Sequence, residues 1–128
     1  MNARLLLVDD DPSVLVTYKL IFEQQGYVVF GAATERDAFS LLERGSFDLL
    51  ICDLSLERAQ GGLEIIEFAR QRYAGVKAVL LTGFATPELT KEAEDNGIQV
   101  IFKPIEIREL LDRIAALVGY VRAQRAAG

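Results

Sequence analysis

Histidine is absent from the 128 residues of this chain. That excludes Ser-His-Asp and Cys-His catalysis, histidine-ligated zinc, and any phosphohistidine carried by the chain itself. Cysteine is almost absent: Cys52 is the only one, so no internal disulfide can form, and a reducing, cytoplasmic setting is expected. Cys52 lies inside an apolar run, where a free thiol acts as a small core hydrophobe. Basic blocks are also lacking. With a net charge of -5, direct nucleic-acid binding is not expected. No apolar stretch approaches the roughly 18 residues of a membrane span, and the N-terminus lacks the basic, apolar, small-residue order of a secretory signal. No membrane partner is expected.

What is present points to one globular domain. Hydrophobic residues make up 51% and charged residues 26%, ordinary values for a packed core under a solvated surface. Four short apolar runs each end in polar residues. Leu5-Leu6-Leu7-Val8 runs into Asp9-Asp10-Asp11, and Leu49-Leu50-Ile51-Cys52 into Asp53. Ala78-Val79-Leu80-Leu81 runs into Thr82-Gly83, and Val100-Ile101-Phe102 into Lys103-Pro104. If these runs are parallel strands, all of those residues meet at one sheet edge, where open α/β sheets build their sites.

Helical stripes separate the runs. Asp11-Pro12 pairs an N-cap with a proline at the first helical position, and Val14, Leu15, Tyr18, Ile21 and Phe22 follow at three- and four-residue spacing. Gly26 stops that helix, and Val28-Val29-Phe30 reads as a strand. Thr34 with Asp37 opens a helix lined by Ala38, Leu41 and Leu42. Glu57 to Gly62 reads as loop, followed by a helix with Leu63, Ile66 and Ala69 on its buried face. Thr86-Pro87 caps a helix that ends at Asn96-Gly97. The last helix carries Ile107, Leu110, Leu111, Ile114, Leu117 and Val118. The order βαβαβαβαβα predicts a parallel sheet with helices on both faces, in which the runs before Asp9, Asp53 and Thr82 are buried on both sides. Residues 1–119 are expected to form the domain and 120–128 a C-terminal tail or the start of a linker.

Asp9, Asp10 and Asp53 at one edge repel each other, and burial adds to the cost of ionising them. A divalent cation relieves this, and an all-oxygen site suits Mg²⁺ or Mn²⁺ rather than zinc. Lys103 adds a fixed positive charge, and Thr82 adds a hydroxyl with small Gly83 beside it. Cation, ammonium and hydroxyl together can hold the oxygens of a phosphoryl group in transfer, and a carboxylate can accept it as an acyl phosphate. Asp11 reads simply as a helix cap.

These four strand ends, in this order and at this spacing, resemble the receiver domain of two-component response regulators over about residues 4 to 118. The resemblance implies a flavodoxin-like five-stranded parallel sheet of order 2-1-3-4-5 flanked by five helices. It implies Asp53 as phosphoacceptor. Asp9 and Asp10 would position Mg²⁺, Asp10 more directly, with the main-chain carbonyl of Ser55 as a further ligand. Thr82 would be the switch hydroxyl, and Lys103, with a cis bond to Pro104, the lysine that pairs with the phosphoryl group. A sensor histidine kinase or histidine phosphotransfer protein would be the donor. An output domain or downstream protein would be the target, and a homodimer could form through the helix 4–strand 5–helix 5 face.

Two positions depart from the family pattern. Glu57 stands where proline is frequent, in a loop one residue longer than in many members. Val100 stands where an aromatic often changes rotamer, and a β-branched side chain has little χ1 freedom. Ser55 and Phe84 occupy the positions that flank the approach of a hydrolytic water; one is short and the other apolar, which predicts slow self-dephosphorylation. A phosphorylation-independent interaction module is the alternative that Val100 favours, while intact Asp53, Thr82 and Lys103 argue against it. An aspartate-nucleophile phosphohydrolase would want Asp-x-Asp where this chain has Asp53-Leu54-Ser55. A flavin protein would want a Ser/Thr/Gly-rich phosphate loop where this chain has three aspartates.

Overall fold

The computed structural model describes residues 2–54, 56 and 61–127, without the side chains of 120–127. Five strands and five helices alternate along the chain: β1 (Arg4–Val8), α1 (Pro12–Gln24), β2 (Val28–Ala32), α2 (Glu35–Arg44), β3 (Leu49–Asp53), α3 (Gly61–Arg72), β4 (Lys77–Thr82), α4 (Pro87–Asp95), β5 (Ile98–Phe102) and α5 (Ile107–Ala127). All neighbouring strands are parallel, in the order β2-β1-β3-β4-β5. This is the expected architecture. The direction of connection reverses between β1 and β3, which opens a crevice at their carboxyl ends.

Alternation along the strands sorts the core into two layers. Leu6, Val8, Leu50, Cys52, Leu80 and Val100 pack with Ala38, Leu42, Ile65, Ile66 and Ala93 of α2, α3 and α4. Leu5, Leu7, Leu49, Ile51, Val79, Leu81 and Ile101 pack with Phe22 of α1 and Leu110, Ile114 and Val118 of α5. The central strands β1, β3 and β4 are therefore buried on both faces, as their continuous apolar runs predict.

The helix punctuation follows the sequence. Asp11 Oδ1 accepts from the amides of Ser13 (2.9 Å) and Val14 (3.4 Å). Thr34 and Thr86 hydroxyls accept from Asp37 and Leu89 amides at 3.0 and 3.1 Å. Gly26 and Gly97 end α1 and α4 with φ of 94° and 73°, a region costly for any residue with a Cβ.

Two expectations are corrected. Gly61 and Gly62 are the first turn of α3 rather than loop; residues 57–60 lie outside the description. Ile107 is exposed, because α5 begins beyond the sheet edge and its buried face starts at Leu110. Strand β2 also runs on to Ala32, where Gly31 lets Leu15 of α1 lie against the strand: a Cβ there would meet Leu15 Cδ1 at 3.3 Å.

Candidate functional site

The strand register brings the polar strand ends together. Val8 pairs with Cys52, so Asp9 and Asp53 leave adjacent strands at the same level. Asp53 pairs with Leu81, and Thr82 with Phe102, which sets Thr82 and Lys103 one step further along the same edge. Asp9, Asp10 and Asp53 each offer a carboxylate oxygen within 4.8 Å of the others. Asp9 is buried and Asp10 exposed, with Asp53 between them.

Asp11, the third aspartate of the run, is diverted from this cluster. Its carboxylate caps α1, and its own amide donates to Asp9 Oδ1 at 2.9 Å. Lys103 crosses the crevice from the other side. Its Nζ donates to Asp53 Oδ2 at 3.1 Å and lies 3.6 Å from Asp9 Oδ2. The Lys103–Pro104 bond is cis, as the resemblance implies.

Burial is the largest influence on the Asp9 carboxyl and raises its pKa above 3.8. The Asp11 amide and the Lys103 charge pull it down, while the charges of Asp53 and Asp10 push it up, and the net direction is upward. Burial also pulls Lys103 down, but its hydrogen bond and charge contact with Asp53, helped by Asp9, overcome this and raise it. The Lys103 contribution to stability is thus fully present at neutral pH and is lost only as pH rises through its elevated folded-state value. Cys52, beside Asp53 in sequence, is fully buried, and its thiol is pushed far up by burial and then by the Asp53 charge. It is core, as expected.

For Asp9 the sign is the reverse. Its ionised form costs stability, a cost that appears as pH rises from the unfolded carboxylate range through the raised folded value. Asp9→Asn is therefore expected to raise the melting temperature of the metal-free protein at neutral pH. In saturating Mg²⁺ it should lower it if the cluster holds the cation, because a carboxylate that could ligate it is lost. Thermal unfolding in chelator and in excess Mg²⁺ checks this; a shift of the same sign in both would argue against a cation site.

Thr82 is 2% exposed. Its hydroxyl donates to the Phe84 carbonyl at 2.6 Å and accepts from the Phe84 amide at 3.0 Å, which ties the β4–α4 loop to the strand end. Gly83 leaves open space: a Cβ there would meet nothing within 4 Å. Phe84 is 69% exposed to solvent. Val100 is buried in the layer of α2, α3 and α4. Ser55 lies outside the described residues.

One close approach at the site escaped the sequence reading. Gly62 packs so closely on β3 that a Cβ would stand 2.0 Å from the Asp53 carbonyl oxygen. Its amide donates to the Leu54 carbonyl at 3.0 Å. The pair Gly61-Gly62 was the available signal, since consecutive glycines mark either a turn or a close approach of backbones.

The chain belongs to the response regulator receiver domain family, whose model matches residues 5–115. It is the receiver domain of a two-component response regulator, a signalling module. It is 30% identical over 96% of its length to the alginate biosynthesis transcriptional regulatory protein AlgB of Pseudomonas aeruginosa, of which it spans only 30%. It is 24% identical to sporulation initiation phosphotransferase F of Bacillus subtilis, over 89% of this chain and 92% of that one. Among solved structures, a CheY-like response regulator receiver domain protein from Methanospirillum hungatei superposes with a TM-score of 0.88. It is 31% identical and covers 97% of this chain and 99% of its own. No described helix is long and apolar enough to cross a membrane.

Proposed function

We propose that Asp53 accepts a phosphoryl group from the phosphohistidine of a sensor kinase or phosphotransfer protein, in a Mg²⁺-dependent reaction that switches an output. The observation that carries this reading is the Lys103 Nζ contact with both Asp53 and Asp9 inside a three-carboxylate cluster. An Asp53 oxygen forms the O–P bond as the donor P–N bond breaks, and the electron pair leaves on the imidazole nitrogen. Lys103 holds Asp53 in place beforehand and offers its ammonium to the incoming oxygens. Asp9 and Asp10, with the Ser55 carbonyl, are the protein groups that would hold the cation. The donor set fits, being all oxygen. When bound, Mg²⁺ supplies the positive charge that lets carboxylates and phosphoryl oxygens share one crevice.

Thr82 carries the response. Its hydroxyl has one proton, now given to the Phe84 carbonyl. A phosphoryl oxygen on Asp53 would compete for that proton, and the loop would be released or redrawn accordingly. This favours a phosphorylation-dependent switch over a phosphorylation-independent module, even though Val100 is fixed in the core. Residues 1–119 would form the switching domain, with 120–128 a C-terminal tail or the start of a linker. The output partner follows from whatever surface the loop and α4 present.

Incubation with a small acyl-phosphate donor and Mg²⁺ should add one phosphoryl mass to the wild-type protein and none to Asp53→Ala. Equal uptake by the variant would refute Asp53 as the acceptor.

A further inference from the structure

Helix α4 has the wrong charges for its own C-terminus. Its last turn, Glu92-Ala93-Glu94-Asp95, carries three acids and no base, at the end where unpaired carbonyls already concentrate negative charge. Its nine residues are too few to be stable alone. Only Ala93 is buried, and α4 packs mainly on the edge strand β5. Towards α3 it leaves a cavity of about 360 Å³, with Leu63, Ile66, Glu67, Glu92 and Ala93 among its walls.

Arg70, in the last turn of α3, bridges that gap. Its Nε donates to the Val76 carbonyl at 3.2 Å, one terminal nitrogen donates to the Asn96 carbonyl, and the other to the Gly97 carbonyl at 3.4 Å. Among the described residues it pairs with no carboxylate, and burial holds its pKa below the ordinary arginine value. A partly desolvated guanidinium is thus directed at the carbonyls just past the end of α4, where a cation opposes the helix dipole. The Asn96 side chain adds a second closure, donating to the Glu92 carbonyl at 2.7 Å.

The other end of α4 is held differently. It is reached through Gly83-Phe84-Ala85, and the tie there is the Thr82 hydroxyl with its single transferable proton. We propose that Arg70 is a positioning residue, the fixed anchor of α4. It pins the C-terminal end of the helix, so that displacement set at Thr82 is confined to residues 83–90 and becomes a pivot of α4 rather than its loss. This rests on the phosphoacceptor reading for its trigger, though not for the anchor itself.

The test compares wild type, Arg70→Met and Arg70→Lys by intact mass and by backbone hydrogen exchange, before and after incubation with a small acyl-phosphate donor and Mg²⁺. In Arg70→Met, amides of residues 92–97 should exchange about tenfold faster before phosphorylation, with β1 and β3 unchanged. After phosphorylation the change should stay within 83–90 in wild type and spread through 92–97 in Arg70→Met. Arg70→Lys, which keeps the charge but not the fork of donors, should fall between them. Unchanged exchange at 92–97 in Arg70→Met would overturn the anchor, as would a wild-type response centred on 92–97. Failure of wild type to gain mass would instead overturn the phosphoacceptor reading, and the exchange rates before phosphorylation would still decide the anchor.

Discussion

Gly62→Ala should damage both stability and phosphoryl uptake, more than alanine at any other described glycine. The added carbon would stand 2.0 Å from the Asp53 carbonyl oxygen, 2.9 Å from the Asp53 carbonyl carbon and 3.1 Å from Leu54 Cα. All three are backbone atoms of β3 or its exit, so no side-chain rotation relieves the contact. Overpacking a tight site costs typically 1–3 kcal/mol, and a backbone clash belongs at about 3 kcal/mol or above. The chain can escape only by moving α3 away from β3 or by displacing Asp53. A misplacement of about 1 Å at a reacting group can slow a reaction by about a hundredfold. Gly61→Ala is the milder comparison: its Cβ would meet Glu35 Cδ and Oε1 at 3.1 Å and Leu56 Cβ at 3.3 Å, side-chain atoms rather than backbone. Urea unfolding and the rate of phosphoryl mass gain measure the two effects. A Gly62→Ala protein equal to wild type in both would mean that the close approach of α3 does not position the acceptor.

That glycine also marks the boundary of what the sequence reveals. Periodicity located every strand and helix, because the apolar runs and stripes reflect burial directly. The caps Asp11, Thr34 and Thr86 were legible because short-range hydrogen bonds need particular side chains at fixed offsets. The four polar strand ends identified the edge, since parallel strands must deliver their C-termini to one side. Gly61-Gly62 misled for a physical reason. Glycine disfavours helices locally, and only the tertiary approach to Asp53 explains its use in the first turn of α3. Arg70 was illegible for a similar reason. Its partners are main-chain carbonyls of Asn96 and Gly97, and no sequence pattern announces a contact to a carbonyl distant in sequence.

The fold and the electrostatics act jointly. The crevice exists because connections reverse between β1 and β3, which places Asp9 and Asp53 side by side at the ends of adjacent strands. Lys103 from the far edge strand then reaches back over β4 to both carboxylates. The ammonium of Lys103 lies against two of the three acidic groups, and an all-oxygen cluster of this kind suits a divalent cation.

Thr82→Ala should accept phosphate yet lose most of its conformational response. The hydroxyl proton has two competing acceptors: the Phe84 carbonyl, which it now serves at 2.6 Å, and a phosphoryl oxygen on Asp53 once one is present. A hydrogen bond to a charged acceptor contributes about 1.5–3 kcal/mol, against about 0.5–1.5 kcal/mol for a neutral one. The proton should therefore transfer its allegiance on phosphorylation, and the difference sets the bias on the loop. Without the hydroxyl, roughly 1.5 kcal/mol of that bias disappears, which is about a tenfold shift in the loop equilibrium. Asp53, Asp9 and Lys103 contact one another without Thr82, so chemistry at the acceptor should persist. Thr82→Ser keeps the proton and should restore the response. Amide shifts of residues 83–86 with and without an acyl-phosphate donor read the loop, while intact mass confirms uptake in the same samples. Full-sized shifts in a phosphorylated Thr82→Ala protein would mean that the loop responds to the phosphoryl charge directly, without the hydroxyl as intermediary.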